Sequence, residues 1–191
     1  YASVPLRTQS VSGPVASNRA GLALSADERW LAAVSVPADR SWEQERGAVT
    51  VLDVSRTRST LLSAPGTWRC VAPLFTQRVT LELGVACLTP DGRAQWHVFR
   101  RENDGWKHAR DAALPVPEGV PLRGETARAA RDEAGNLWIA WALQPAGLVQ
   151  RIRESGEAFV VQSLVCPFVP RNVRSLAGRM IVVGVRGSVY A

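Results

Sequence analysis

Hydrophobic residues along this chain recur in short runs that are separated by turn-forming residues. The clearest run, 137–143, is rich in aromatic and branched side chains and is too short for an ordinary helix. It directly follows Gly135 and Asn136, two residues that let a chain reverse its direction. Comparable runs lie at 127–131, 148–153 and 158–165. This pattern predicts four antiparallel strands in one meander.

The same turn followed by a strand recurs along the chain. Gly92, Gly135 and Gly178 each precede such a strand and lie 43 residues apart. An earlier copy at Asp27 lies about 64 residues before Asp91, and a repeat of about 40–50 residues is the length of a propeller blade. The pattern therefore predicts repeats with turns near 27, 92, 135 and 178, and an insertion before the second repeat.

The rest of the chain is also predicted to form strands. Their ranges are 20–25, 30–36, 48–54, 59–63, 85–88, 95–101 and 106–109. An additional hairpin over 68–75 and 78–83 accounts for the longer gap, and the proline-rich stretch 114–121 is a loop between repeats. No segment has the pattern of a capped amphipathic helix. We predict an all-β domain over 20–191, preceded by an extended segment or linker over 1–19.

Two stretches resemble known propeller blades. The stretch 132–142 is similar to blades of the two-component-regulator propellers, and 22–32 resembles the inner hairpin of WD-type and YVTN-type propellers. Residues 89–96 resemble the Asp-box turn of sialidase-like propellers, although Gly92 follows Asp91 directly and so departs from that family's spacing. The resemblance covers roughly 20–191. It implies an antiparallel β-propeller of about four blades, or part of a larger propeller.

Closure of such a propeller is a separate question. Residues 188–191 have the pattern of the start of a third strand, so the last blade is predicted to be incomplete. Unfinished blades expose strand edges that invite pairing. We therefore expect additional propeller blades, which are supplied by another part of the same polypeptide, by a partner chain or by a second copy in an oligomer. In the alternative, residues 4–15 provide the missing outer strand and a small propeller closes within the chain.

The charge of the chain is carried almost entirely by arginine. The net charge is +6, with Lys107 as the only lysine, and the arginines are scattered without forming a run. Scattered charge indicates a solvated surface more than a polyanion site, so there is no strong nucleic-acid signal. No apolar run approaches the ~18 residues that a transmembrane helix requires. The scarcity of lysine fits a bacterial protein, exported to the periplasm or secreted, with the cytoplasm as the alternative.

The three cysteines lack the CxxC spacing of zinc and redox motifs. A hairpin that turned near Arg78 would place Cys70 opposite Cys87, which makes this pair a candidate disulfide and would imply an oxidising compartment. In the alternative, Cys70, Cys87 and Cys166 are all buried thiols, since free cysteine packs as a small hydrophobe.

Signals for catalysis are weak. His97 and His108 are the only histidines, and His97 points to the opposite face of its strand from Trp96 and Val98. A metal site would need carboxylates from other blades, so we expect structural or surface histidines and no metal. There is no nucleophile elbow, phosphate loop or EF-type calcium loop, and we predict no cofactor and identify no catalytic residue.

Trp42 is the strongest candidate for binding. It lies in the charged stretch 37–47, flanked by Arg40 and Arg46, which is the composition of an interface anchor. In the alternative, Trp42 covers the edge of its own blade. The function expected is a non-enzymatic propeller scaffold that binds a protein partner or a propeller-completing chain. The competing hypotheses are a propeller hydrolase, lyase or cofactor-bearing oxidoreductase subunit, or a carbohydrate-binding propeller.

Other tryptophans are expected to pack between sheets. They are Trp30, Trp96, Trp138 and Trp141, which all lie in predicted strands. Trp138 and Trp141 are three residues apart, and side chains alternate along a strand. These two indoles should therefore point to opposite faces of their strand.

Overall fold

In a computed structural model, the chain is described over most of its length. The described residues are 21–34, 47–77, 79–103, 105–118, 120, 122, 126–143, 146–155, 158–184 and 189–190. Within them the chain forms antiparallel strands in four small sheets, with no helix, which confirms the all-β prediction. The N-terminal segment 1–19 and the predicted binding residues Arg40, Trp42 and Arg46 lie outside the described residues.

Each sheet is a meander in which spatial order follows chain order. The first contains β1 (Leu22–Leu24), β2 (Trp30–Val34), β3 (Ala48–Asp53) and β4 (Arg58–Ser63). The second contains β5 (Arg69–Gln77), β6 (Leu81–Leu88), β7 (Ala94–Glu102) and β8 (Gly105–Leu114). The third contains β9 (Thr126–Arg131), β10 (Leu137–Ala142), β11 (Gly147–Ser155) and β12 (Ala158–Cys166). The fourth contains β13 (Pro170–Leu176), β14 (Arg179–Gly184) and β15 (Val189–Tyr190).

Consecutive sheets pack face to face. Separate apolar clusters fill the spaces between the first and second sheets, the second and third, and the third and fourth. The first strands of the sheets are also neighbours, with β1 beside β5, β5 beside β9, and β9 beside β13. The first strands of the four sheets therefore lie beside one another in chain order.

The alternation of side chains along β10 decides which sheet each residue contacts. Leu137, Ile139 and Trp141 pack in the cluster against the second sheet. Trp138 packs against the cluster shared with the fourth sheet, which also contains Ala140. The prediction that the two indoles point to opposite faces is confirmed, and a strand with apolar residues on both faces is what a sheet between two others requires.

The repeat spacing predicted from the turn glycines is wrong in one place. The turns at Gly135 and Gly178 join the first and second strands of their sheets, whereas Gly92 joins β6 and β7, the second and third strands. The turns at Gly92 and Gly135 resemble each other only in their local hydrogen bonds. Thr89 Oγ1 accepts from the N–H of Arg93 at 3.0 Å, and Asp132 Oδ1 accepts from the N–H four residues later at 2.8 Å. The 43-residue interval from Gly92 to Gly135 therefore joins similar turns at different positions.

The hairpin predicted over 68–75 and 78–83 is present as the antiparallel pair β5 and β6. It is not an insertion, because β5 and β6 are the first two strands of the second sheet, and 85–88 is part of β6 and not a separate strand. Gly84 lies in the middle of β6. A side chain is excluded at this position because a Cβ would come within 2.0 Å of Cζ2 of Trp96. This glycine therefore marks the close approach of an indole inside a continuous strand.

A buried carboxylate forms ion pairs that connect three strands of the second sheet. Glu82 on β6 pairs with Arg100 on β7 at 3.0 Å and with Arg110 on β8 at 3.1 Å. Burial alone would raise the pKa of Glu82, but hydrogen bonds and charge from Arg110 and Arg100 hold it below its usual range. The carboxylate is therefore ionised and fully paired at neutral pH, and its role is structural.

Candidate functional sites

The two cysteines of the second sheet are joined. Cys70 on β5 lies directly opposite Cys87 on β6, and a disulfide links them within the core between the first two sheets. Cys166 is free and buried, and burial raises the pKa of its thiol. The disulfide therefore ties together the hairpin β5–β6, and the thiol of Cys166 is held in its unreactive protonated form.

A groove of about 960 Å³ opens between the third and fourth sheets. Its apolar lining consists mainly of Trp138, Val149, Leu164, Val165, Phe168 and Met180. Leu164 and Val165 at the end of β12 are 66% and 50% exposed. Trp138, expected to serve packing alone, also forms part of this groove.

Charged side chains border the groove and are mostly held in place. Asp132 accepts from Nε1 of Trp138 at 2.9 Å, and Glu133 accepts from the N–H of Gly178 at 2.9 Å, which links two turns across the groove. The guanidinium of Arg151 lies 5.6 Å from the Trp138 ring centroid. Arg179 is exposed at the same border. The groove therefore has a preorganised polar rim around an apolar floor.

A second cavity, of about 570 Å³, is open to solvent and is lined by residues of the first strands of all four sheets. Three arginines line it: Arg128 and Arg131 from β9 and Arg174 from β13. Arg131 donates to Oγ1 of Thr76 at 2.9 Å and to the carbonyl of Gly135 at 2.7 Å. Asn172 and Ser175 also line the cavity, so its wall has a positive potential.

The two histidines lie together, which sequence reasoning did not predict. Nδ1 of His97 lies 3.0 Å from Nε2 of His108, and that nitrogen lies 3.9 Å from Oδ1 of Asp111. Nε2 of His97 is 3.1 Å from Oε1 of Gln95. His97 is 1% exposed, and burial is the main cause that lowers its pKa, so the ring is neutral at pH 7.

We expected that carboxylates near these histidines would have to come from other blades, and this was wrong. Asp111 comes from β8, the strand adjacent to His97, and lies directly opposite it in the register. The only signal in the sequence is the short spacing from His97 to Asp111 across the turn at 103–105. That spacing becomes informative only when the pairing of β7 with β8 is known.

Comparison with protein-family models and with curated proteins finds no match for this chain. Among the residues described above, no helix has the length and apolar character needed to cross a bilayer. The functional argument therefore depends on the groove, the cavity and the side-chain clusters themselves.

Proposed function

We propose that this chain is a non-enzymatic β-propeller scaffold that binds a protein partner. Its sheets are antiparallel meanders, three of them with four strands, and they pack face to face in chain order. Residues of their first strands line one cavity. Successive four-stranded sheets around a central channel are the defining arrangement of propeller blades.

The observation that carries partner binding is the groove between the third and fourth sheets. Its floor is apolar and its rim is charged, as in the centre and periphery of protein–protein interfaces. We assign it to a protein segment whose large apolar side chain enters beside Leu164 and Trp138 and whose carboxylate pairs with Arg179. An aromatic anchor in such a pocket supplies most of the binding energy in many interfaces.

Three further parts of the proposal come from the sequence. The stretch 37–47, with Arg40, Trp42 and Arg46, stays a predicted second contact, and a propeller-completing chain is an alternative partner. Location in the periplasm or outside the cell is supported by the disulfide, since such bonds persist in oxidising compartments.

An enzyme or a carbohydrate-binding propeller is less well supported. The central cavity is lined by arginines, Asn172 and Ser175, without an acid–base pair among the described lining residues.

Substitution of Leu164 by aspartate should abolish partner capture, because it places a charge on the apolar floor of the groove. Leu61→Asp is the matched control, since Leu61 is 65% exposed on β4, the outer strand of the first sheet, and Leu164 is 66% exposed on β12. The measurement is affinity capture from source-cell extract with quantitative mass spectrometry. A photo-crosslinking residue at 164 or 61 then identifies which position contacts the captured protein.

The expected result is a partner that is lost on Leu164→Asp, kept on Leu61→Asp and crosslinked from 164. Equal loss in both variants would indicate non-specific hydrophobic capture, and retention in both would rule out the groove. Trp42→Ala tests the predicted loop separately. Its loss of capture would add the loop to the interface, and its retention would remove the loop without affecting the groove.

A further inference from the structure

We infer that His97, His108 and Asp111 form a site for a divalent transition metal, best suited to Zn²⁺, on the two outer strands of the second sheet. The candidate ligand atoms of these three residues all lie within 4.8 Å of one another. Two imidazoles and one carboxylate are a common zinc ligand set. This site is separate from the groove and is independent of partner binding.

Two of the three separations between ligand atoms are close to those around a tetrahedral ion. Zinc–ligand distances of about 2.0–2.1 Å place neighbouring ligand atoms about 3.3–3.4 Å apart. The nitrogens of His97 and His108 are 3.0 Å apart, and the His108 nitrogen is 3.9 Å from the Asp111 oxygen. One of these separations is slightly short and the other slightly long. The third pair, His97 with Asp111, lies within 4.8 Å, so the carboxylate of Asp111 turns toward the two imidazoles when the ion binds.

A β-bulge places His108 on the correct face of the sheet. The register pairs His97 with Asp111 and Val98 with Arg110, but Phe99 then pairs with His108, so that Ala109 has no partner. Without this bulge, Ala109 would lie opposite Phe99 and His108 would point to the other face, since neighbouring residues alternate. Bulges that redirect a side chain are over-represented beside functional sites.

The hydrogen bonds present prepare His97 to act as a ligand. Oε1 of Gln95 accepts from Nε2–H of His97, which leaves the lone pair on Nδ1 directed at His108. Metal-binding histidines commonly donate their second ring N–H to an oxygen in this way. In the metal-free protein, Nε2–H of His108 donates to that lone pair. When the metal binds, His108 changes tautomer, its proton moves to its own Nδ1, and both nitrogens face the ion.

The site is anchored on one side and open on the other. His97 is buried, whereas the side chains of His108 and Asp111 are 28% and 50% exposed. The rings of Phe99 and His108 pack in a T-shaped arrangement with centroids 5.5 Å apart, which restrains the imidazole. A metal therefore enters from solvent, and water completes its coordination beside three protein ligands.

The test is titration of the metal-free protein with Zn²⁺ by calorimetry, and with Co²⁺ by visible absorption. We expect one ion per chain and the intense absorption of tetrahedral Co²⁺. His108→Ala and Asp111→Asn should each weaken Zn²⁺ binding by more than about 100-fold, because loss of an outer partner of a ligand already costs 10–100-fold. Glu102→Gln, on β7 and paired with Lys107 outside the cluster, is the control and should bind normally.

His97→Ala is not the decisive variant, because a buried residue can affect folding. His108→Ala and Asp111→Asn change exposed side chains, and circular dichroism checks that each variant is folded. Absence of Zn²⁺ binding in the unmodified protein would overturn the inference. So would an affinity that stays the same in both folded variants, or one that falls equally in Glu102→Gln.

Discussion

Replacement of Trp141 by alanine is expected to lower the free energy of unfolding by about 3–5 kcal/mol. The indole is 0% exposed and packs in the cluster between the second and third sheets. Its Nε1 donates to Oε1 of Gln150 at 2.8 Å, and Gln150 in turn donates to the carbonyl of Pro115 at 2.8 Å. The substitution therefore leaves a large cavity and removes one partner from a buried polar network that anchors the chain after β8.

Two control variants separate the contribution of the cavity from that of the lost hydrogen bond. Their stability is measured by urea denaturation, with circular dichroism as the signal. Trp141→Phe keeps most of the packing but leaves Gln150 Oε1 without its donor, which should cost about 1–3 kcal/mol. Trp138→Ala, three residues away on the same strand, removes a partly exposed indole and should cost clearly less than Trp141→Ala. Equal losses from Trp138→Ala and Trp141→Ala would contradict the assignment of β10 faces to their neighbouring sheets.

Removal of the disulfide in Cys70→Ala/Cys87→Ala should destabilise the protein by about 3 kcal/mol. The two cysteines are 17 residues apart, and the bond restricts the unfolded chain by closing this loop. The expected midpoint of urea denaturation falls for the double variant, and reductant should have little further effect on it. Reductant should lower the midpoint of the unmodified protein by a similar amount.

Cys166→Ala is the matched control, because it removes a buried thiol but closes no loop. Its midpoint should change little and should remain sensitive to reductant. Thiol titration of the unfolded protein gives an independent check, since the sequence has three cysteines. One reactive thiol before reduction and three afterwards are expected, and three before reduction would contradict the disulfide.

The strands were predictable from sequence because their signals are local. The alternation around Trp138 and Trp141 identified a strand and assigned its two faces, and both predictions are confirmed. The turn near Arg78 was also enough to place Cys70 opposite Cys87, because a hairpin pairs residues symmetrically about its turn. These inferences need only the period of a strand and the centre of one turn.

The errors arose where the outcome depends on contacts between distant residues. The ranges 78–83 and 85–88 were predicted as separate strands, because the indole of Trp96 that explains the glycine between them lies on the next strand. The turn at Gly92 was predicted to be equivalent to the turn at Gly135. Both turns form the same local hydrogen bond, although they join different pairs of strands. A single sequence gives the chemistry of a turn but not its position in the sheet.

The candidate sites were the least predictable features. The groove depends on how the third and fourth sheets pack, and none of its lining residues has a distinctive spacing. The histidine cluster depends on one unpaired residue, Ala109, because the bulge decides to which face His108 points. Bulge positions follow from the strand register, which the hydrophobic pattern of β8 does not specify.

The central claim is that the four sheets surround one cavity formed by their first strands. It is tested most directly by electron paramagnetic resonance with spin labels at Leu22→Cys and Arg174→Cys, in a Cys166→Ala background. Both positions are exposed and line that cavity, from β1 and β13. The account predicts labels within about 20 Å of each other, whereas sheets stacked about 10 Å apart in a straight row would separate them by about 30 Å or more. The longer distance would contradict the propeller arrangement and the function proposed from it.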